Sequence, residues 1–152
     1  MATSTRDIFT GLATIIAGAG IGVYRSDGSA YAAGETAIVF AESPPSPDRV
    51  IMIQIVPMTD ETVLPSGVWM AQFYFRGLPG DRLDVQDLGD SVFDLLQGAT
   101  GLTLGSVTVD QCQRQGSVPN GMDPAKRWTR IDRYMLDLNT APTANRPAGG
   151  WD

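Results

Sequence analysis

The sequence predicts an α+β domain, a mostly antiparallel sheet of four to five strands with two helices packed on one face. Three observations carry this expectation. Two stretches repeat apolar residues at helical spacing, several others alternate apolar and polar residues, and the order is helix, short strand, strand, strand, helix, strand, strand. A chain of 152 residues suits one domain, so residues 1–138 are expected to form it and residues 139–152 a flexible C-terminal arm.

Ser4 is placed to cap the first helix, with Asp7 near its positive terminus. Ile8, Leu12, Ile15, Ile16 and Ala19 then share one stripe. Gly18, Gly20 and Gly22 end the helix, since glycine takes the left-handed backbone without a Cβ clash. Residues 25–36 read as an exposed loop leading into a short strand, Ala37–Phe40. Pro44, Pro45 and Pro47 confine the following segment to a connection or a sheet edge.

Residues 50–56 form a β-branched strand with Ile51, Ile53 and Ile55 on one side. After a polar loop at 59–66, Trp69, Ala71, Phe73 and Phe75 point one way and Met70, Gln72, Tyr74 and Arg76 the other, so the two strands pair as a hairpin. Asp81 is a natural N-cap for a second helix to Gln97, whose buried stripe is Val85, Leu88, Val92, Leu95 and Leu96. Gly98 and Gly101 close it. Residues 104–115 and 126–138 read as two further strands, joined by a flexible loop at 116–124. Residues 139–152 have no apolar periodicity; they are expected to be disordered in the free protein, with Trp151 as the one large apolar anchor for ordering on assembly.

Composition excludes several chemistries. The chain has no His, which removes Ser-His-Asp triads, Cys-His pairs and His-ligated zinc. Its single cysteine, Cys112, cannot make an intramolecular disulfide and reads as a buried strand residue. The Gly18-Ala-Gly-Ile-Gly22 run closes a helix, whereas a dinucleotide fingerprint opens one. The apolar segment 8–23 is amphipathic and follows an Arg6-Asp7 pair, so neither a signal peptide nor a membrane span is expected. With 11 Lys and Arg against 17 Asp and Glu, the net charge of -6 argues against wrapping nucleic acid but not against surrounding it. No cofactor or metal is expected: aspartates along one exposed helix face do not converge on an ion. An enzyme without His would need two carboxylates converging in a concave pocket.

Charge is unevenly spread. Asp84, Asp87, Asp90 and Asp94 lie on the polar side of the second helix, and Lys126, Arg127, Arg130 and Arg133 crowd the last strand. These eight residues are the candidate interface, the acidic helix of one copy facing the basic strand of the next in a heterologous contact that forms a ring where the rotation closes. The last strand places Arg130 and Asp132 in line with Tyr134 and Leu136, which suggests that it projects beyond the core with its hairpin partner.

Five segments carry a family resemblance: Arg6-Asp-Ile-Phe-Thr-Gly-Leu-Ala13, Ala19-Gly-Ile-Gly-Val-Tyr-Arg25, Asp48-Arg-Val-Ile51, Val92-Phe-Asp-Leu-Leu96 and Arg127-Trp-Thr-Arg-Ile-Asp-Arg-Tyr134. In order and spacing, over about residues 5 to 140, the chain resembles small neck proteins of long-tailed actinobacterial phages, known as minor capsid or tail terminator proteins. The resemblance implies a structural virion protein and not an enzyme. It implies a homo-oligomeric, hexameric ring at the head-proximal end of the tail, assembled in the host cytoplasm. Such a ring caps the tail-tube protein, docks the head-tail connector or stopper protein, and lets genomic DNA pass through its lumen without sequence-specific binding or membrane contact. A head-closure or stopper protein is the neighbouring alternative.

Overall fold

The computed structural model describes residues 4–150 of the chain. Its elements are α1 (Ser4–Gly18), β1 (Ala37–Phe40), β2 (Val50–Asp60), β3 (Ser66–Pro79), α2 (Asp84–Leu96), β4 (Thr100–Leu104), β5 (Val107–Met122) and β6 (Arg127–Asn139). The strands form one sheet in the order β1-β2-β3-β6-β5-β4. The β1–β2 pair is parallel and the other pairs are antiparallel. An isolated parallel bridge between Val23 and Ala37 adds a further pairing outside the named strands.

This corrects the expected fold class. The chain is mostly β: a mixed sheet of six strands, extended by the Val23 bridge and curled into a half-barrel, replaces the antiparallel sheet of four to five. Two features account for the difference. β1 runs parallel to β2 although only residues 41–49 connect them, far fewer than a helical crossover uses. The connection closes because β1 is short: four residues return over only about 13 Å. The second feature is β4, a strand in its own right. Gly105, at φ 59°, turns the chain between β4 and β5 inside what reads as one strand at 104–115.

The 116–124 segment also differs from expectation, since β5 continues to Met122 and the turn is confined to 123–126. Register shifts between Arg114 and Gly116 and between Pro119 and Met122 absorb the glycine and proline. Pro119 is tolerated because β4 pairs with β5 only as far as Gln111, which leaves the outer half of β5 a sheet edge.

One core fills the space between the helices and the sheet. Ile8, Leu12, Ala13 and Ile16 of α1 and Val85, Leu88, Val92 and Leu96 of α2 meet Ile51, Ile53, Phe73, Phe75, Tyr134 and Leu136. Phe73 packs edge-on to Tyr134, with centroids 5.4 Å apart, and is stacked with Phe75 at 5.9 Å. Gly11 lets α1 approach β4 closely: a Cβ there would lie 2.8 Å from the Leu104 side chain. Asp7 does not serve the helix terminus alone, because its carboxylate accepts hydrogen bonds from the Ser106 amide and hydroxyl in the β4–β5 turn. Those bonds hold Asp7 below the usual carboxylate range.

β6 does not project beyond the core. Arg130 is 4% exposed and Asp132 is fully buried, and they sit on the core side because they neutralise each other there. The segment after Asn139 lies along the β2–β3 loop: Thr140 N donates to Pro65 O, and the Arg146 guanidinium donates to the carbonyls of Leu64 and Ser66. Trp151 lies outside the described residues.

Candidate functional site

Two clusters of charged side chains hold the elements of this chain together. The first joins α2 to the β5–β6 hairpin. Arg130 donates through Nε to Asp132 Oδ1 and through Nη2 to Asp132 Oδ2, each at 2.8 Å, a fork that fits the planar guanidinium. Its Nη1 reaches Asp90 Oδ1 at 3.0 Å and Gln86 Oε1 at 3.1 Å on α2. Asp132 also accepts from the Ser117 hydroxyl at 2.6 Å and lies 3.5 Å from Arg114 Nη1. Burial disfavours the charged guanidinium, but the bonds to Asp132 and Asp90 outweigh it and keep Arg130 above the ordinary arginine range. Helix α2 fits over this group because Gly89 has no side chain: a Cβ there would stand 2.6 Å from Arg130 Cζ.

The second cluster pins the proline loop that makes β1 parallel. Arg76, buried at the end of β3, donates to the carbonyls of Asp48, Pro44 and Pro47 and to the Ser43 hydroxyl. Burial and the neighbouring Arg127 pull it below the usual arginine range. Arg127 donates to Pro45 O and Asp48 Oδ1 and, through Nε, to Asp123 Oδ2 at 2.9 Å. Loop 41–49, the β5–β6 turn and β3 thereby share one ionic hub. The Ser46–Pro47 peptide within it is cis.

The eight candidate interface residues divide between these clusters and the surface. Asp90 and Arg130 meet within one chain, Asp84 pairs with Arg49 at 3.0 Å, and Arg127 pairs with Asp123 and Asp48. Asp87, Asp94, Lys126 and Arg133 are exposed, and Arg133 donates to Gln72 on the neighbouring strand. Beyond those eight, the clusters include Asp132, Arg114, Ser117 and Gln86 around Arg130 and Arg76, Asp48 and Asp123 around the proline loop, none of them picked out as an interface residue from the sequence. Asp48 and Asp123 each flank a proline, a weak sign of a carboxylate bracing a turn. Arg76 gives no such sign, because its acceptors are mostly backbone carbonyls about thirty residues away.

Other groups add little chemistry. Cys112 is buried, which pushes its thiol up to about 12, far from the thiolate state that nucleophilic or metal-binding cysteines use. Among the described residues no group of three or more His, Cys, Asp or Glu side chains is arranged to hold a metal ion. Among them, too, no helix is long and apolar enough to cross a membrane.

No family model and no curated protein matches the sequence. Solved structures of similar fold do exist, and one is a chain of the virion of a native gene transfer agent particle. The superposition covers 66% of this chain and 78% of that one, with a TM-score of 0.53 and 14% sequence identity. At that identity the likeness is one of architecture alone, over the part of the chain that superposes.

Proposed function

We propose that this chain is a structural protein of a phage-like virion, a tail terminator that forms a ring, six copies in the expected form, at the head-proximal end of the tail tube. The observation that carries the reading is the shared fold with a chain of a gene transfer agent virion. The sequence resemblance to phage neck proteins over about residues 5 to 140 points the same way. In this role the ring ends polymerisation of the tail-tube protein, presents its far side to the head-tail connector, and passes DNA through its lumen. It works in the neck of the virion after assembly in the host cytoplasm. The function requires no catalytic step and no cofactor, and the ionic clusters serve rigidity. Exposed carboxylates such as Asp87 and Asp94, where they face the lumen, repel phosphates and keep DNA from adhering.

Electron microscopy of the purified chain mixed with tail tubes tests the proposal. The expected result is a ring at one end of each tube. A chain that ignores tube ends but binds the portal-side connector belongs to head closure, and one indifferent to both is not a neck protein.

A further inference from the structure

The chain has three asparagines, and the fold leaves one of them unrestrained. Asn139 ends β6, where its side-chain amide donates to Asp110 Oδ2 at 2.8 Å and the amide of the next residue, Thr140, donates to Pro65 O at 2.7 Å. Asn145 precedes Arg146, whose amide donates to the carbonyl and the hydroxyl of Thr143. Asn120 stands near the end of β5, is exposed, and its side chain makes no hydrogen bond among the described residues.

The residue after Asn120 is Gly121, which has no side chain to shield its backbone nitrogen. Gly121 is exposed, holds a left-handed φ of 78°, and nothing lies within 4 Å of where a Cβ would stand. The bulge between Pro119 and Met122 leaves both Asn120 and Gly121 without a partner in the β5–β6 register. The Thr129 hydroxyl donates to Gly121 O at 2.9 Å, a bond to the carbonyl end of that residue and not to its nitrogen. The Asp27–Gly28 pair makes the contrast. The Ser29 amide donates to the Asp27 carboxylate at 2.9 Å, and that bonding holds Asp27 below the usual carboxylate range, so it stays ionised at neutral pH and is a poor target for a nucleophile.

We infer that Asn120 is a site of spontaneous deamidation in the folded chain, with the Gly121 nitrogen as nucleophile and water as the co-reactant. The nitrogen gives up its proton and attacks Asn120 Cγ. The new N–Cγ bond closes a succinimide ring, the Cγ–Nδ2 bond breaks, and ammonia leaves with the proton. Water then opens the ring at either carbonyl, giving aspartate with the original main chain or isoaspartate with the main chain routed through Cγ. Either product adds a negative charge at the outer end of the β5–β6 hairpin, and the extra methylene of isoaspartate falls in the bulge, outside the ladder.

The test incubates the full wild-type chain at neutral and at mildly alkaline pH, natively and in urea, and follows each asparagine by mass spectrometry of proteolytic peptides. In the native chain Asn120 is expected to lose its amide, faster at the higher pH because the attacking nitrogen must be deprotonated, and to yield isoaspartate together with aspartate. Asn139 and Asn145 are expected to keep theirs over the same period. An Asn120 that keeps its amide in the native chain overturns the inference, and its loss only in urea would show that the fold blocks the attack. A native chain in which Asn139 or Asn145 reacts as fast as Asn120 also overturns it. So does aspartate formed without isoaspartate, since direct hydrolysis makes no use of the Gly121 nitrogen.

Discussion

Replacing Asp132 with Ala should be among the most damaging single substitutions in the chain. The carboxylate is fully buried, takes both arms of Arg130 at 2.8 Å and the Ser117 hydroxyl at 2.6 Å, and has Arg114 3.5 Å away. Removing it leaves Arg130, 4% exposed, with Gln86 and a single carboxylate, Asp90, whose side chain is two-thirds exposed and therefore screened. Stranding one member of a buried pair typically costs about 3–5 kcal/mol, against a total stability of roughly 5–15 kcal/mol for a domain. With a urea m-value of about 2 kcal/mol/M, the unfolding midpoint should fall by about 2 M. The paired replacement Arg130→Met with Asp132→Leu removes both charges and should lie within about 2 kcal/mol of the wild type, because the desolvation cost disappears with the pair. Urea unfolding followed by circular dichroism measures both variants. If Asp132→Ala shifts the midpoint by less than about 0.5 M, or if the double variant is as unstable as the single one, the cluster does not hold α2 to the hairpin as described.

Four further outcomes follow from the same geometry. Gly89→Ala improves intrinsic helix propensity by up to about 1 kcal/mol but drives a Cβ into the Arg130 guanidinium; a net loss of about 1–3 kcal/mol in chemical denaturation is expected. Cys112, its thiol pushed up to about 12 by burial, should resist a thiol-specific reagent in the native state at neutral pH and react only as the chain unfolds, which titration in increasing urea checks. Asp7 and Glu35 are both held below the usual carboxylate range, Asp7 by its bonds from Ser106 and Glu35 by Arg25. Their folded values lie under their unfolded ones, so their contribution is present above the unfolded range near about pH 4 and is lost as pH falls through the folded values. Melting temperature should therefore decline on acidification below that range, less steeply in Asp7→Asn. Arg146→Ala removes the two bonds to Leu64 and Ser66, and hydrogen exchange over residues 140–150 should accelerate while the core amides keep their protection.

The parts of the fold legible in the sequence are those where one periodicity governs a whole segment. Ile51, Ile53 and Ile55 alternate because one face of β2 lies on the core, and the same parity runs through Trp69, Ala71, Phe73 and Phe75 on β3. Both helical stripes are legible for the same reason. β4 is not, since Gly101 stands inside it at φ 64° and Gly98 just before it, and glycines of that kind signal the end of a helix more than a strand. The parallel β1–β2 pairing is hidden too: it depends on Arg76 and Arg127 gripping carbonyls of loop 41–49, and a carbonyl acceptor leaves no mark in a side-chain pattern. Arg130 and Asp132 mislead because two charges on the core side of a strand read as solvated until they are known to pair with each other.

The most direct measurement of the central claim is the length distribution of tail tubes polymerised in the presence of this chain. A terminator acts once per tube, so it should shorten tubes and arrest their growth at amounts far below one copy per tube subunit, and preformed tubes treated with it should no longer serve as seeds. Tubes that reach the same lengths and seed equally well with the chain present would contradict the account.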